Sequence, residues 1–118
     1  MIKIFDFDTV SNECDYLIKN ANIELICYGM YDKEYHSKPF VINSFLASNI
    51  IKSNKNVFYS TKKESYYAYN INGKIVDLAN KNISLGEICV LLDEKIPGDL
   101  KSGDYINFDV LRLDISFD

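Results

Sequence analysis

The sequence predicts a mainly β domain, a small antiparallel Greek-key barrel or sandwich occupying residues 1–118. Three observations lead there. Asn72-Gly73 sits between two runs of alternating character, Tyr66–Ile71 and Lys74–Leu78, and Asn-Gly supplies the two positive-φ residues of a type I′ hairpin turn. The closing run from Tyr105 to Phe117 alternates with period two but changes phase: Ile106, Phe108 and Val110 share one face, then Leu111, Leu113, Ile115 and Phe117 take over. A flip of that kind implies a bulge or corner, which lets one strand serve two sheets or curl a sheet round. At least five strand-like runs separated by short turns complete the pattern.

Taken in order, residues 2–8 read as a strand from their β-branched and aromatic content. Residues 9–20 admit two structures. Val10, Cys14, Leu17 and Ile18 have helix spacing, with Asp8 or Thr9 as N-cap. The same stretch also suits a hairpin that turns at Asn20-Ala21-Asn22. A short helix or turn is favoured, followed by a strand at 23–31. Residues 40–52 are ambiguous in the same way. Phe45, Leu46, Asn49 and Ile50 suit a helical face, but Ser, Asn and β-branched residues favour strands at 40–46 and 49–52. The Asn-Gly turn would pair Ile71 with Lys74, Tyr69 with Val76 and Tyr67 with Leu78 on a buried face. It would leave Tyr66, Ala68, Asn70, Ile75, Asp77 and Ala79 on the other. Residues 85–93 are apolar on both faces and read as a central strand. Residues 94–104 form a loop with turns at Pro97-Gly98 and Ser102-Gly103. The stretch Gly103-Asp104-Tyr105-Ile106-Asn107-Phe108 resembles the strand entry of many OB-like and SH3-like barrels. That resemblance spans about a dozen residues from Ile96 and implies architecture, not function.

Composition sets the setting. Apolar residues make up 47% and charged residues 25%, which is the globular range. No run approaches the ~20 apolar residues of a membrane helix, and the acidic start Met1–Asp8 lacks the apolar core of a signal peptide. Cys14, Cys27 and Cys89 are odd in number and widely spaced, which suits reduced thiols in a cytoplasm better than disulfides or zinc. Twelve Lys to one Arg, with abundant Ile and Asn, is the codon habit of an AT-rich bacterial genome. The net charge of -4 divides unevenly: residues 1–35 carry three Lys and seven acids, residues 36–82 seven Lys and two acids, and residues 83–118 three basic groups and eight acids. A fold that segregates these segments would have an acidic and a basic face.

Lys3-Ile4-Phe5-Asp6-Phe7-Asp8-Thr9-Val10 resembles the first motif of haloacid-dehalogenase-type phosphatases. The resemblance implies Asp6 as nucleophile and Asp8 as acid/base beside Mg²⁺, with Val57–Thr61 and Gly103-Asp104 followed by Asp109 as later motifs. That family is built on a parallel sheet with crossover helices, and its acidic motif follows an apolar strand. Here Gly103-Asp104 follows the polar Asp99–Ser102, and nothing from 53 to 118 reads as a long helix. No catalytic, metal or cofactor site is expected, and the chain is not expected to be an enzyme. His36 stands alone in a polar loop, with no signature linking it to Cys14, Cys27 or Cys89.

Binding is the remaining class. A protein-binding module comes first, as an immunity or inhibitor protein that masks a basic toxin or nuclease. The acids of the last segment, Asp93, Glu94, Asp99, Asp104, Asp109 and Asp114, would carry the contact. An OB-like single-strand nucleic-acid binder comes second, with Lys52, Lys55, Lys62 and Lys63 as cations and Tyr59 and Tyr66 as stacking platforms. Arg112 is the only arginine, which equips the chain poorly for reading base edges.

Overall fold

The computed structural model describes residues 1–118 and contains eleven strands and no helix. They are β1 (Ile2–Phe7), β2 (Glu13–Asn20), β3 (Ile23–Met30), β4 (Phe40–Phe45), β5 (Ser48–Lys52), β6 (Tyr59–Lys62), β7 (Tyr69–Asp77), β8 (Asn82–Ser84), β9 (Cys89–Leu91), β10 (Tyr105–Val110) and β11 (Arg112–Phe117). All belong to one open mixed sheet in the order β1-β2-β3-β11-β4-β9-β8-β7-β10-β5, with β6 branching onto β7. The mainly β expectation holds. The ladders are antiparallel except for two short parallel contacts, β3 with β11 and β4 with β9.

Alternation explains most strands. In β3, Ile23, Leu25, Cys27 and Gly29 are buried while Glu24 and Met30 are exposed. The expected strands at 2–8, 23–31, 40–46 and 49–52 appear as β1, β3, β4 and β5. Residues 9–20 contain no helix: a tight turn after Phe7 leads into β2, and the chain reverses at Ala21-Asn22, the hairpin alternative. In β2 the whole run Cys14–Ile18 is buried, so both faces are covered and no alternation marks it as a strand. The apolar run 85–93 is paired only over Cys89–Leu91.

The main correction concerns Asn72-Gly73. They are the middle of β7, not a turn, and Gly73 is absent from the positive-φ residues a type I′ turn requires. Tyr69, Ile71, Gly73 and Ile75 form one uninterrupted buried face, which continues straight through the pair. Val76 and Leu78, expected inside, are therefore exposed, whereas Ile75 is fully buried. Asn72 is buried because a crossing loop satisfies it: its Nδ2 donates to the carbonyls of Lys55 (3.0 Å) and Val57 (2.8 Å). β7 thus serves as a long central strand. β10 lies along one edge, and β6 and β8 share the other.

The phase change in the closing segment is real. It falls at Leu111, where β10 ends and β11 begins, and β10 pairs with β7 while β11 pairs with β4. Ile106, Phe108, Val110, Leu113 and Ile115 enter the core, but Leu111, expected with the second set, points to solvent. The core of 23 residues fills the inside of the rolled sheet. The roll brings β3 against β6 without backbone pairing. Instead the Ser60 hydroxyl accepts from Glu24 N (3.3 Å) and donates to Glu24 O (3.1 Å), and Ile26 N donates to the Tyr69 hydroxyl (2.8 Å). Bulges interrupt the ladder of each end strand, at Ile4/Asp6 beside β1 and at Asn107/Asp109 beside β5. With the exposed Lys3 and Lys52, they blunt both free edges against unwanted strand addition.

Candidate protein-binding groove

The corner at Leu111 shapes the most pronounced depression on the surface. Leu111 lies between the β4–β5 turn, where its amide donates to Phe45 O (3.1 Å), and the loop 63–68. An open groove of about 960 Å³ runs between them, lined by Leu46, Ala47, Lys63, Ala68, Val110 and Leu111 among others. A smaller depression of about 210 Å³ continues it past Ser65 and Leu111 to Phe45, Tyr66, Tyr67 and Arg112. Leu46, Leu111 and Tyr66 are exposed by 56%, 47% and 49%. Large apolar side chains grouped on one surface, with Tyr and Arg among them, have the composition of interface anchors.

Each wall is held by a carboxylate. Asp93, just beyond β9, binds the β4–β5 turn. Its Oδ1 accepts from the Ser44 hydroxyl (2.5 Å) and Ala47 N (3.1 Å), its Oδ2 accepts from Leu46 N (2.8 Å), and its own amide donates to Ser44 Oγ (2.9 Å). The opposite wall rests on Asp15, 8% exposed on β2, whose oxygens accept from the hydroxyls of Tyr66 (3.0 Å) and Tyr67 (2.6 Å). Burial, and then the bond to Asp15, pushes the Tyr66 phenol up to about 12 and raises that of Tyr67 as well. At the end of the groove Arg112 forks onto Asp114 (2.6 and 3.1 Å). Its guanidinium lies 4.6 Å from the Phe45 ring and 4.8 Å from that of Tyr28, so the plane is fixed by stacking as well as charge.

Of the acids expected to bind a partner, three come to this groove, and all three make internal bonds. Asp93 and Asp114 act as described. Asp109 accepts from Asn49 Nδ2 (2.8 Å) and Asn70 Nδ2 (2.9 Å) and pairs with Lys63 (3.2 Å). Glu94 follows Asp93 and is exposed. Asp99 and Asp104 lie in the 94–104 loop, where Asp104 O accepts from Ile75 N. That is six residues along β7 from Tyr69, or roughly 20 Å from the groove. The residues of the nucleic-acid set divide too. Lys62, Lys63 and Tyr66 border the groove, with the Lys62 ammonium bonded to the carbonyls of Lys63 and Ser65. Lys52, Lys55 and Tyr59 lie at the other end of β5 and β6, with Lys55 over the Tyr59 ring at 5.8 Å.

The bonding of Asp93 and Asp109 makes a pH prediction. In Asp93 burial raises the pKa, but the bonds from Ser44, Ala47 and Leu46 outweigh it and the carboxyl lies below its ordinary value of 3.8. In Asp109 the bonds from Asn49 and Asn70 have the same effect. A depressed folded pKa contributes stability that is complete above the unfolded value and is lost as pH falls through the folded one. Urea midpoints should therefore hold from pH 7 to about 5 and decline below pH 3.8. Asp109→Asn should show a shallower acid decline than the wild type.

Asp6 and Asp8 lie at the end of an antiparallel edge strand, exposed, with Asp8 Oδ1 accepting from Val10 N (2.9 Å). No three His, Cys, Asp or Glu side chains converge to hold a metal ion. His36 is exposed and stacks on Tyr35 at 4.0 Å. Cys14 and Cys27 are buried and Cys89 is exposed. No helix is long and apolar enough to cross a membrane. No family model matches the chain, and no curated protein or solved structure matches it.

None of Phe45, Leu46, Leu111, Arg112 and Asp15 is among the binding residues expected from the sequence. The signal for Leu111 was present: a residue at a change of phase belongs to neither face and is available for the outside. Asp15 carried no comparable signal, since Tyr66 and Tyr67 are more than fifty positions away.

Proposed function

We propose that this chain is a protein-binding module that masks a basic partner, in the manner of an immunity or inhibitor protein covering a toxin or nuclease. The observation that carries this is a groove in which the exposed Leu46 and Leu111 stand among polar and charged residues, with acids from both acidic segments of the sequence at its margin. Glu13 accepts from the Tyr28 hydroxyl (2.8 Å), Asp15 from Tyr66 and Tyr67, and Asp6 lies within electrostatic reach of Tyr66. Glu64 lines the groove, and Asp93 with Glu94 stands behind the Leu46 turn. Arg112 with Asp114 and Lys63 with Asp109 cancel in ion pairs, while the Lys62 ammonium is held by the carbonyls of Lys63 and Ser65. Exposed leucines flanked by the exposed carboxylates of Glu13, Glu64 and Glu94 would attract a cationic surface and then exclude water from it. The roll that brings β3 to β6 supports an OB-like or SH3-like barrel, and the three unpaired cysteines support a cytoplasmic setting.

The test is affinity capture with paired variants. The wild type should retain one basic protein in stoichiometric amount. Leu111→Asp and Tyr66→Ala should each weaken that complex by ~100-fold, as hot-spot substitutions do, while Ile51→Asp, on the exposed outer strand β5, should not. A protein retained equally by all four would reject the groove. Binding of a random single-stranded oligonucleotide that falls steeply with salt, and is abolished by replacing Lys62 and Lys63, would favour nucleic acid instead.

A further inference from the structure

We infer that Asp93 is a positioning residue for this groove: it locks the Ser44–Ala47 turn so that Leu46 stands out as a rigid anchor for an apolar cleft on the basic partner. The inference builds on the protein-binding role proposed above and assigns the contact to one side chain and its support.

Leu46 combines two unfavourable features. Its backbone is left-handed, with φ of +53°, a region in which a leucine Cβ crowds the backbone. Its side chain is also largely exposed. The two-residue connection Leu46-Ala47 between β4 and β5 has no need of either, since Gly or Asn fits the left-handed position without strain. Asn49, three residues on, has the same φ of +53° and is a residue type that tolerates it. Strain of this kind persists where surrounding bonds over-determine the conformation. Here those bonds come from Asp93, 46 to 49 positions away in sequence, whose two carboxylate oxygens take the Leu46 amide, the Ala47 amide and the Ser44 hydroxyl. Ser44 is itself buried, and its hydroxyl takes the Asp93 amide in return. The turn is therefore clamped from one side while Leu46 projects from the other, into the groove shared with Leu111. A pre-ordered apolar side chain binds without the entropy of ordering it first. The exposed carboxylates of Glu64 in the groove and Glu94 beyond Asp93 supply the complementarity to a basic surface.

Three variants separate the parts. In Asp93→Asn, hydrogen exchange at the Leu46 and Ala47 amides should accelerate by roughly tenfold or more, while the amides of Ile71 and Phe108 keep their protection. Its affinity for the captured basic protein should fall about tenfold, mostly in dissociation rate. Leu46→Gly should melt no lower than the wild type, because glycine relieves the left-handed strain, yet bind as weakly as Leu111→Asp. Leu46→Asn, which keeps a left-handed turn without the apolar anchor, should also bind weakly. Unchanged exchange in Asp93→Asn would overturn the clamp. Released amides with undiminished affinity would overturn the positioning role and leave the groove standing. Failure of the wild type to retain any basic protein would overturn the groove itself, and with it the anchor.

Discussion

Alanine at position 73 should destabilise the protein by about 3 kcal/mol and lower its melting temperature by roughly 10 °C. A Cβ there would lie 2.7 Å from Leu85 Cδ2, 2.8 Å from Ile83 Cγ2 and 2.7 Å from Ser84 O. Leu85 Cδ2 ends a buried side chain, and Ile83 Cγ2 is a methyl on a stiff branched Cβ, so neither gives way freely. The third belongs to the backbone of β8, paired with β7 through Lys74 and Ser84, so the strand itself must shift. Urea unfolding of Gly73→Ala measures this directly. A cost under about 0.5 kcal/mol is ordinary for a surface site and would place residue 73 outside the sheet.

The same position shows where sequence and structure part. Asn-Gly is a strong local signal, but it competes with the period-two set Tyr69, Ile71, Gly73 and Ile75 that runs through it. Two tertiary facts decide the outcome: carbonyls at 55 and 57 for the Asn72 amide, and the bulk of Ile83 and Leu85 over the missing Cβ. Neither is visible in a window of ten residues. Where alternation was complete and one-sided, as in β3, strand and face were both legible. Where both faces are buried, as in β2, helix spacing and strand content could not be told apart. The groove follows the same division. The acidity of the two outer segments and the break at Leu111 could be read in advance. What Asp93 and Asp15 do could not, because their partners lie 46 to 52 positions away.

Removing the Asp15 carboxylate should have the second large effect. Asp15→Ala leaves two phenol hydroxyls without their shared acceptor, one on the half-exposed Tyr66 and one on the part-buried Tyr67, and bonds to a charged acceptor contribute about 1.5–3 kcal/mol each. A net loss of about 3 kcal/mol is expected, with Asp15→Asn intermediate because one carbonyl oxygen remains. Combining Asp15→Ala with Tyr67→Phe should cost clearly less than the sum of the two, since they delete the same bond. Additive losses would show that the tyrosine hydroxyls do not depend on Asp15. Ultraviolet titration gives an independent reading. Tyr66 has a folded pKa of about 12 against an ordinary 10, so its contribution is complete below pH 10 and is lost as pH rises toward 12. In Asp15→Ala the late-ionising tyrosines should move to lower pH. Because this carboxylate seats the Tyr66 wall, the same variant should also weaken partner capture.

The two hydroxyls between β3 and β6 have a mechanical consequence. Elsewhere neighbouring strands are joined by the backbone, so parting them breaks bonds that every residue type can make. Along this line the fastening consists of two side-chain hydroxyls, that of the part-exposed Ser60 and that of the buried Tyr69. The open sheet thus meets itself along a seam fastened by side chains. Opening should begin there, while the long central strand and its neighbours stay joined, and a change at position 60 or 69 should alter how readily the seam parts.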